Sequence, residues 1–240
     1  MVVMVLRFLY NEPAIFYKKA LIIGDVHFGI EKRLMEKGIY ENTLSERLKQ
    51  KIENLIYNTK AKKLIIAGDV KDEITILDEI TMKLINSLCD NVEVIIVKGN
   101  HDGGIEKTKA IVVDASGFLY GQVGVIHGHS WPNEEVMSAK WIVSAHQHPQ
   151  IRFTDKSGKV HSEPCWVVAI ANPAEISKYY NNFNKKSKLI LMPAFNPLVG
   201  SAIKKGEHLG PILNNNLFKL NDALLFNMHG VLIGKLSEVE

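Results

Sequence analysis

Three short aliphatic runs, each closing on a glycine and a polar residue, constrain this chain most. Ala20-Leu21-Ile22-Ile23 leads to Gly24-Asp25-Val26-His27, and Lys63-Leu64-Ile65-Ile66-Ala67 to Gly68-Asp69-Val70-Lys71-Asp72. Glu93-Val94-Ile95-Ile96-Val97 leads, one residue on, to Gly99-Asn100-His101-Asp102. Apolar runs without alternation suit strands buried on both faces, as in a parallel sheet. Parallel strands bring their C-terminal ends to one edge, so residues scattered along the chain meet there, where open α/β sheets bind ligands. Between the runs the apolar spacing is helical. One helix is expected from Asn42 or Thr43 to about Tyr57, using Leu44, Leu48, Ile52, Leu55 and Ile56. A second uses Ile76, Leu77, Ile80, Leu84, Ile85 and Leu88, and all these positions are assigned to the core. The resulting βαβαβ order predicts parallel strands with right-handed crossovers.

After Asp102 the segments become short and strand-like: Ala110 to Val113, Val123 to His127, Trp141 to Ala145, Gln150 to Thr154 and Val160 to Ala169. Lys156-Ser157-Gly158-Lys159 reads as a hairpin turn. Leu189 to Pro193, Leu217 to Leu220 and a hairpin turning near His229-Gly230 follow, and Asn214 to Asn216, closing a stretch with several glycines that begins at Gly200, read as an exposed loop. The expected fold class is α/β (α+β): two mixed β-sheets packed face to face with helices outside, in four layers. The 240 residues suit one domain, with a motif-bearing core at about 20–150 and a strand-rich part at 151–240. Met1 to Leu6 reads as an edge strand, because Arg7 and Asn11-Glu12-Pro13 interrupt it too early for a signal peptide. No apolar run approaches the roughly 20 residues that cross a bilayer. Cys89 and Cys165 stand far apart and fit no metal-binding spacing. A cytoplasmic protein with no membrane contact is expected.

The polar clusters are joined downstream by His127-Gly128-His129 and His146-Gln147-His148. Carboxylate, amide and imidazole donors without thiolate suit Mn²⁺, Fe²⁺, Zn²⁺ or Ni²⁺, and argue against a structural zinc knuckle. Each cluster alone is weak, since a strand-end Asp or His often caps the next helix. In order, Asp-x-His, Gly-Asp-x-x-Asp, Gly-Asn-His-Asp, His-Gly and His-x-His resemble the calcineurin-like metallophosphoesterase superfamily over roughly residues 20–150. In appearance the chain is most similar to its small SbcD-related, archaeal-type members. Ala145 departs from the glycine usual before His-x-His. The resemblance implies two divalent metal ions, Mn²⁺ foremost with Fe, Zn or Ni as alternatives. Asp25, His27 and His148 would hold the first, Asn100, His127 and His146 the second. Asp69 would bridge them with its two carboxylate oxygens, and a bridging water or hydroxide would attack phosphorus. His101 would be the general acid, oriented by the carboxylate of Asp72. Asp102 competes for that orienting role, but reads better as a turn cap. His129 and Arg152 are candidate substrate contacts, although His129 suits a structural hydrogen bond equally.

Glu73 stands where the superfamily's protein phosphatases carry an arginine that grips a phosphomonoester. A carboxylate there repels a dianion, which favours a phosphodiester substrate, DNA or RNA among them. The alternatives are a phosphomonoesterase acting on a nucleotide or small metabolite, and a metal-containing binding scaffold without turnover. A homodimer is compatible with the resemblance. The net charge of +3 permits a polyanionic substrate without requiring one. Lys178, Lys185, Lys186 and Lys188, interleaved with Tyr179, Tyr180 and Phe183, read as a base-stacking surface or as a solvated loop with packed rings. Trp131 and Trp166 read as core or pocket wall, and His161, His208 and His229 as ordinary surface or turn residues.

Overall fold

A computed structural model describes residues 5–40, 42–202 and 210–238. The first sheet runs in chain order: β1 (Arg7–Phe8), β2 (Ile15–Tyr17), β3 (Ala20–Ile23), β4 (Lys63–Ile66), β5 (Glu93–Val97) and β6 (Ile111–Val113). From β3 to β6 the pairing is parallel, so the three aliphatic runs are neighbouring strands. Helices α1 (Glu31–Glu36), α2 (Leu44–Thr59) and α3 (Glu79–Cys89) lie between them in the chain. Leu44, Leu48, Ile52, Ile56, Leu84, Ile85 and Leu88 bury the inner faces of α2 and α3 against Leu21, Ile23, Leu64, Ile66, Val94 and Ile96. Asp78 caps α3 by accepting the Thr81 backbone N–H at 2.9 Å.

The second sheet contains β7 (Phe118–Tyr120), β8 (Val123–Ile126), β9 (Trp141–Ser144), β10 (Pro149–Thr154), β11 (Val160–Ile170), β12 (Lys188–Leu191), β13 (Ser201–Ala202), β14 (Leu224–Asn227) and β15 (Leu232–Lys235). Its order is β13-β10-β11-β12-β9-β8-β7, with β14 and β15 attached to β11. The parallel set β8, β9 and β12 gives it a second group of strand ends. Between the sheets, Ile22, Ile65, Ala67, Ile95 and Val97 meet Val125, Val143, Ala145, Trp166, Ile190 and Met192. The outer face of the second sheet is covered partly by α4 (Glu134–Met137), α5 (Pro173–Ile176) and α6 (Pro211–Asn214), through Val136, Met137, Ile176, Ile212 and Leu213. The architecture is therefore two mixed sheets flanked by helices, as expected. Among the described residues no helix is long and apolar enough to cross a membrane.

Some expectations change. Ile76 and Ile80 are exposed, because α3 starts only after Asp78 and Ile80 lies on its outer face. Leu217 to Leu220 is not a strand: Phe218 makes one isolated bridge to Ala171 and a 3-10 turn follows. Asn214 and Asn216 are exposed as expected, but Asn214 ends a short helix, Pro211–Asn214, in which Ile212 and Leu213 are buried. The edge strand begins at Arg7; Met1 to Met4, like His208 and the rest of 203–209, lie outside the described residues.

Candidate active site

The loops after β3, β4, β5, β8 and β9 deliver the polar clusters to one edge of the paired sheets. The hydrogen bonds of the β3–β4 pair continue beyond the strands: Asp25 N–H donates to Gly68 O (3.0 Å), His27 N–H to Asp69 O (3.0 Å) and Phe28 N–H to Val70 O (2.8 Å). Five residues here adopt left-handed backbone: Asp25 (φ 55°), His27 (48°), Asp69 (50°), His146 (71°) and His148 (45°). Each costs about 1 kcal/mol or more outside glycine, a strain that clusters at functional sites.

Two groups of ligand-type side chains result, Asp25–His27–His148 and Asp69–His127–His146. In the first, His148 Nε2 lies 3.1 Å from Asp25 Oδ1. The Nδ1–H of His27 donates to Asp72 Oδ1 at 3.1 Å, which turns its Nε2 toward Asp69 Oδ2, 3.7 Å away. In the second, His127 Nδ1–H donates to Ala67 O at 2.9 Å. Its Nε2 is 3.0 Å from Asn100 Oδ1, 3.0 Å from His146 Nδ1 and 3.4 Å from Asp69 Oδ2. Asp69 therefore stands between the groups. Its Oδ1 accepts the His101 backbone N–H at 2.9 Å, leaving Oδ2 to face both. That differs from the expectation of one oxygen for each side.

These atoms are nearly all electron-pair donors. Burial alone would raise the Asp69 carboxyl, but the hydrogen bond and charge of His127, the His101 N–H and the charge of His27 hold it well below the usual carboxylate range. Burial works against a proton on His127, yet the Asp69 hydrogen bond and the Asp25 and Asp69 charges push its imidazole up to about 9. Burial and the charge of His127 push His146 down to about 4. The carboxylates of Asp25 and Asp69 thus favour positive charge at this cluster. His27 Nε2 and His148 Nε2 are buried with no hydrogen-bond partner. Donor atoms about 3.0 Å apart match neighbouring ligands around a metal bound at about 2.1 Å. On donor chemistry, spacing and orphaned nitrogens, the residues fit divalent metal ions, whose binding would displace the His127 proton.

The surrounding residues partly redistribute the expected roles. His101 Nδ1–H donates to the backbone carbonyl of Asp72 at 2.6 Å. The carboxylate of Asp72 instead bonds His27 and, at 3.0 Å, Arg33 Nη2. So Asp72 positions His101 through its main chain and His27 through its side chain; the motif specified the residue but not the atom. Sequence reasoning passed over Lys71, which is buried and donates to His101 O (2.5 Å), Ile74 O (2.9 Å) and the Glu73 carbonyl, tying the His101 loop to the Asp72 loop. Its only sequence signal is a lysine directly beside buried loop residues. Asp102 accepts backbone N–H groups and does not orient His101. His129 joins the cluster, its ring 5.2 Å from His127 and 6.0 Å from His146; burial and the charge of His127 lower its pKa. Arg152 is exposed on β10 and makes no hydrogen bond or ion pair with the cluster among the described residues.

No curated protein matches this sequence significantly. Among solved structures, nuclease MPE from Pseudomonas putida superposes with a TM-score of 0.59 at 18% identity, covering 95% of this chain and 94% of that one. YfcE, a phosphoesterase from E. coli, superposes at a TM-score of 0.42 and 12% identity, over 90% of this chain and 97% of that one. The first likeness shows a shared fold. The calcineurin-like phosphoesterase family matches residues 18–148, more than half of the sequence and the whole span from Asp25 to His148. The chain belongs to the calcineurin-like phosphoesterase family of metal-dependent hydrolases.

Proposed function

We propose that this protein hydrolyses phosphodiester bonds at a two-metal centre. Asp25, His27 and His148 would hold one ion, and Asn100, His127 and His146 the other, with Asp69 shared. The observation that carries the proposal is the single oxygen of Asp69, 3.7 Å from His27 and 3.4 Å from His127, between two groups of ligand-type side chains. When bound, divalent ions of this kind, Mn²⁺ foremost, activate water and neutralise charge on the phosphoryl oxygens. The protein's own part is placement. Hydrogen bonds to Ala67 O and Asp72 Oδ1 fix His127 and His27 with Nε2 inward. The carbonyl of Asp72 holds His101 by Nδ1, so Nε2 is the atom that gives a proton to the leaving oxygen. Exposed Glu73, beside this loop, disfavours a dianionic monoester and leaves diesters, nucleic acid among them, as the substrate class.

The test compares Mn²⁺-dependent hydrolysis of bis-p-nitrophenyl phosphate and p-nitrophenyl phosphate by wild type and Asp69→Asn. Faster diester turnover, lost in the variant, is expected. Monoester preference would overturn the diester reading, and full turnover by Asp69→Asn would remove the shared-ligand role. His101→Ala should slow an alkyl diester by about 10²–10⁴ while sparing the nitrophenyl ester, whose leaving group needs no acid; equal losses would end its assignment.

A further inference from the structure

Trp131 lies four residues after His127 and is 40% exposed. Its ring centre is 4.8 Å from that of Tyr179, which is 48% exposed, and 6.3 Å from that of Tyr180. Behind the pair, buried Tyr180 donates its hydroxyl to Pro132 O at 2.8 Å. The Tyr179 hydroxyl donates to Asn215 Oδ1 at 2.9 Å. Two large rings are thus held in place from behind while much of their surface faces solvent. Of the three aromatics between Lys178 and Lys188, Tyr180 is buried and Phe183 packs on the second sheet's outer core. Only Tyr179 opens outward, and it meets a tryptophan from the histidine loop.

Four residues span at most about 14 Å, so the indole lies within a few nucleotides of any phosphate at the cluster. His129, two residues before Trp131 in the chain, has its ring 5.2 Å from that of His127. Lys185 and Lys186 are exposed on the same segment as Tyr179 and suit a polyanionic backbone, whereas Lys178 pairs with Glu175 at 2.7 Å. We propose that Trp131 and Tyr179 form a stacking subsite for a nucleobase of a single-stranded nucleic acid whose backbone crosses the histidine cluster. The subsite rests on the phosphodiesterase reading. Paired bases have both faces covered by their neighbours; an unpaired base offers a face to an aromatic ring.

The test is fluorescence anisotropy in EDTA with a labelled single strand of about 12 nucleotides, a length within known stacking sites. A strand of equal length made of abasic linkers is the control. Trp131→Ala is expected to bind the base-bearing strand about 10-fold more weakly. Trp131→Phe should keep most of the affinity. Tyr179→Leu, on a separate segment, should reproduce the loss even if the Trp131 loop shifts. The abasic strand should not distinguish these proteins. Equal weakening of both strands, unchanged binding by Trp131→Ala, or equal affinity for a duplex would overturn the subsite. Binding is read without turnover. A protein that cleaves bis-p-nitrophenyl phosphate but ignores the base loses the subsite alone; one that binds through Trp131 but cleaves no diester loses the phosphodiesterase reading alone.

Discussion

Asp102 is fully buried and accepts the backbone N–H groups of Gly99 (2.8 Å), Asp69 (2.9 Å) and Val70 (2.9 Å). Burial, and then the Asp69 charge, push its carboxyl up. One side chain thus ties the loop after β4 to the loop after β5 and fixes the backbone of Asp69. The Asn-His-Asp-Gly-Gly pattern indicated a local cap; the crosslink to Asp69, 33 residues away, depends on a parallel β4–β5 neighbourhood that no local pattern contains. The same limit explains Asp72, where the sequence shows a carboxylate near His101 but not that its carbonyl makes the contact. Replacing Asp102 with alanine strands these three buried donors and the longer contact from Lys71 N–H (3.5 Å), at about 3 kcal/mol or more in total. In a protein of this size that lowers Tm by about 6–12 °C. A calorimetric shift below about 2 °C would show that the loops hold together without Asp102.

At the scale of elements, the turn following each strand decides whether the histidines arrive. Gly68 has φ 85°, and a β-carbon there would collide with the His127 imidazole that donates to Ala67 O. Gly158 has almost the same φ, 83°, but nothing within 4 Å. Alanine at Gly158 should therefore cost only the turn, about 1 kcal/mol. Alanine at Gly68 should also move His127 and weaken Mn²⁺ binding about 10- to 100-fold, the usual effect of disturbing a ligand's support. Isothermal titration calorimetry measures this, and equal Mn²⁺ affinity in the two variants would refute it. The three aliphatic runs were legible because strands buried on both faces need continuous apolar sequence. Ile15–Tyr17 and Phe118–Tyr120 escaped notice because three residues carry too little periodicity. Ile76 and Ile80 misled for a complementary reason: apolar spacing marks a helical face, but the Asp78 cap places the helix start beyond Ile76 and turns Ile80 outward.

Across the molecule, the candidate ligands come from both sheets: Asp25, His27, Asp69 and Asn100 from loops of the first, His127, His146 and His148 from loops of the second. The motif order revealed which residues gather; that they join two sheets follows only from the packing of Ile22, Ile65 and Ile95 on Val125, Val143 and Ile190. Bound metal should therefore act as a staple between sheets. A ligand at 100 times its Kd adds about 2.7 kcal/mol to stability, or about 5–10 °C in Tm for a protein of this length. In the metal-free protein the Asp69 and Asp25 charges favour a proton on His127, which bound ions must displace. Saturating Mn²⁺ after EDTA treatment should still raise Tm by that amount in wild type, and far less in Asp69→Asn. Hydrogen exchange locates the effect. Mn²⁺ should slow exchange both at residues 24–29 and 68–72 and at 127–130 and 146–148. Protection confined to the first pair of segments would mean that the ions bind one sheet's loops only, and the staple would fail while a metal site remained.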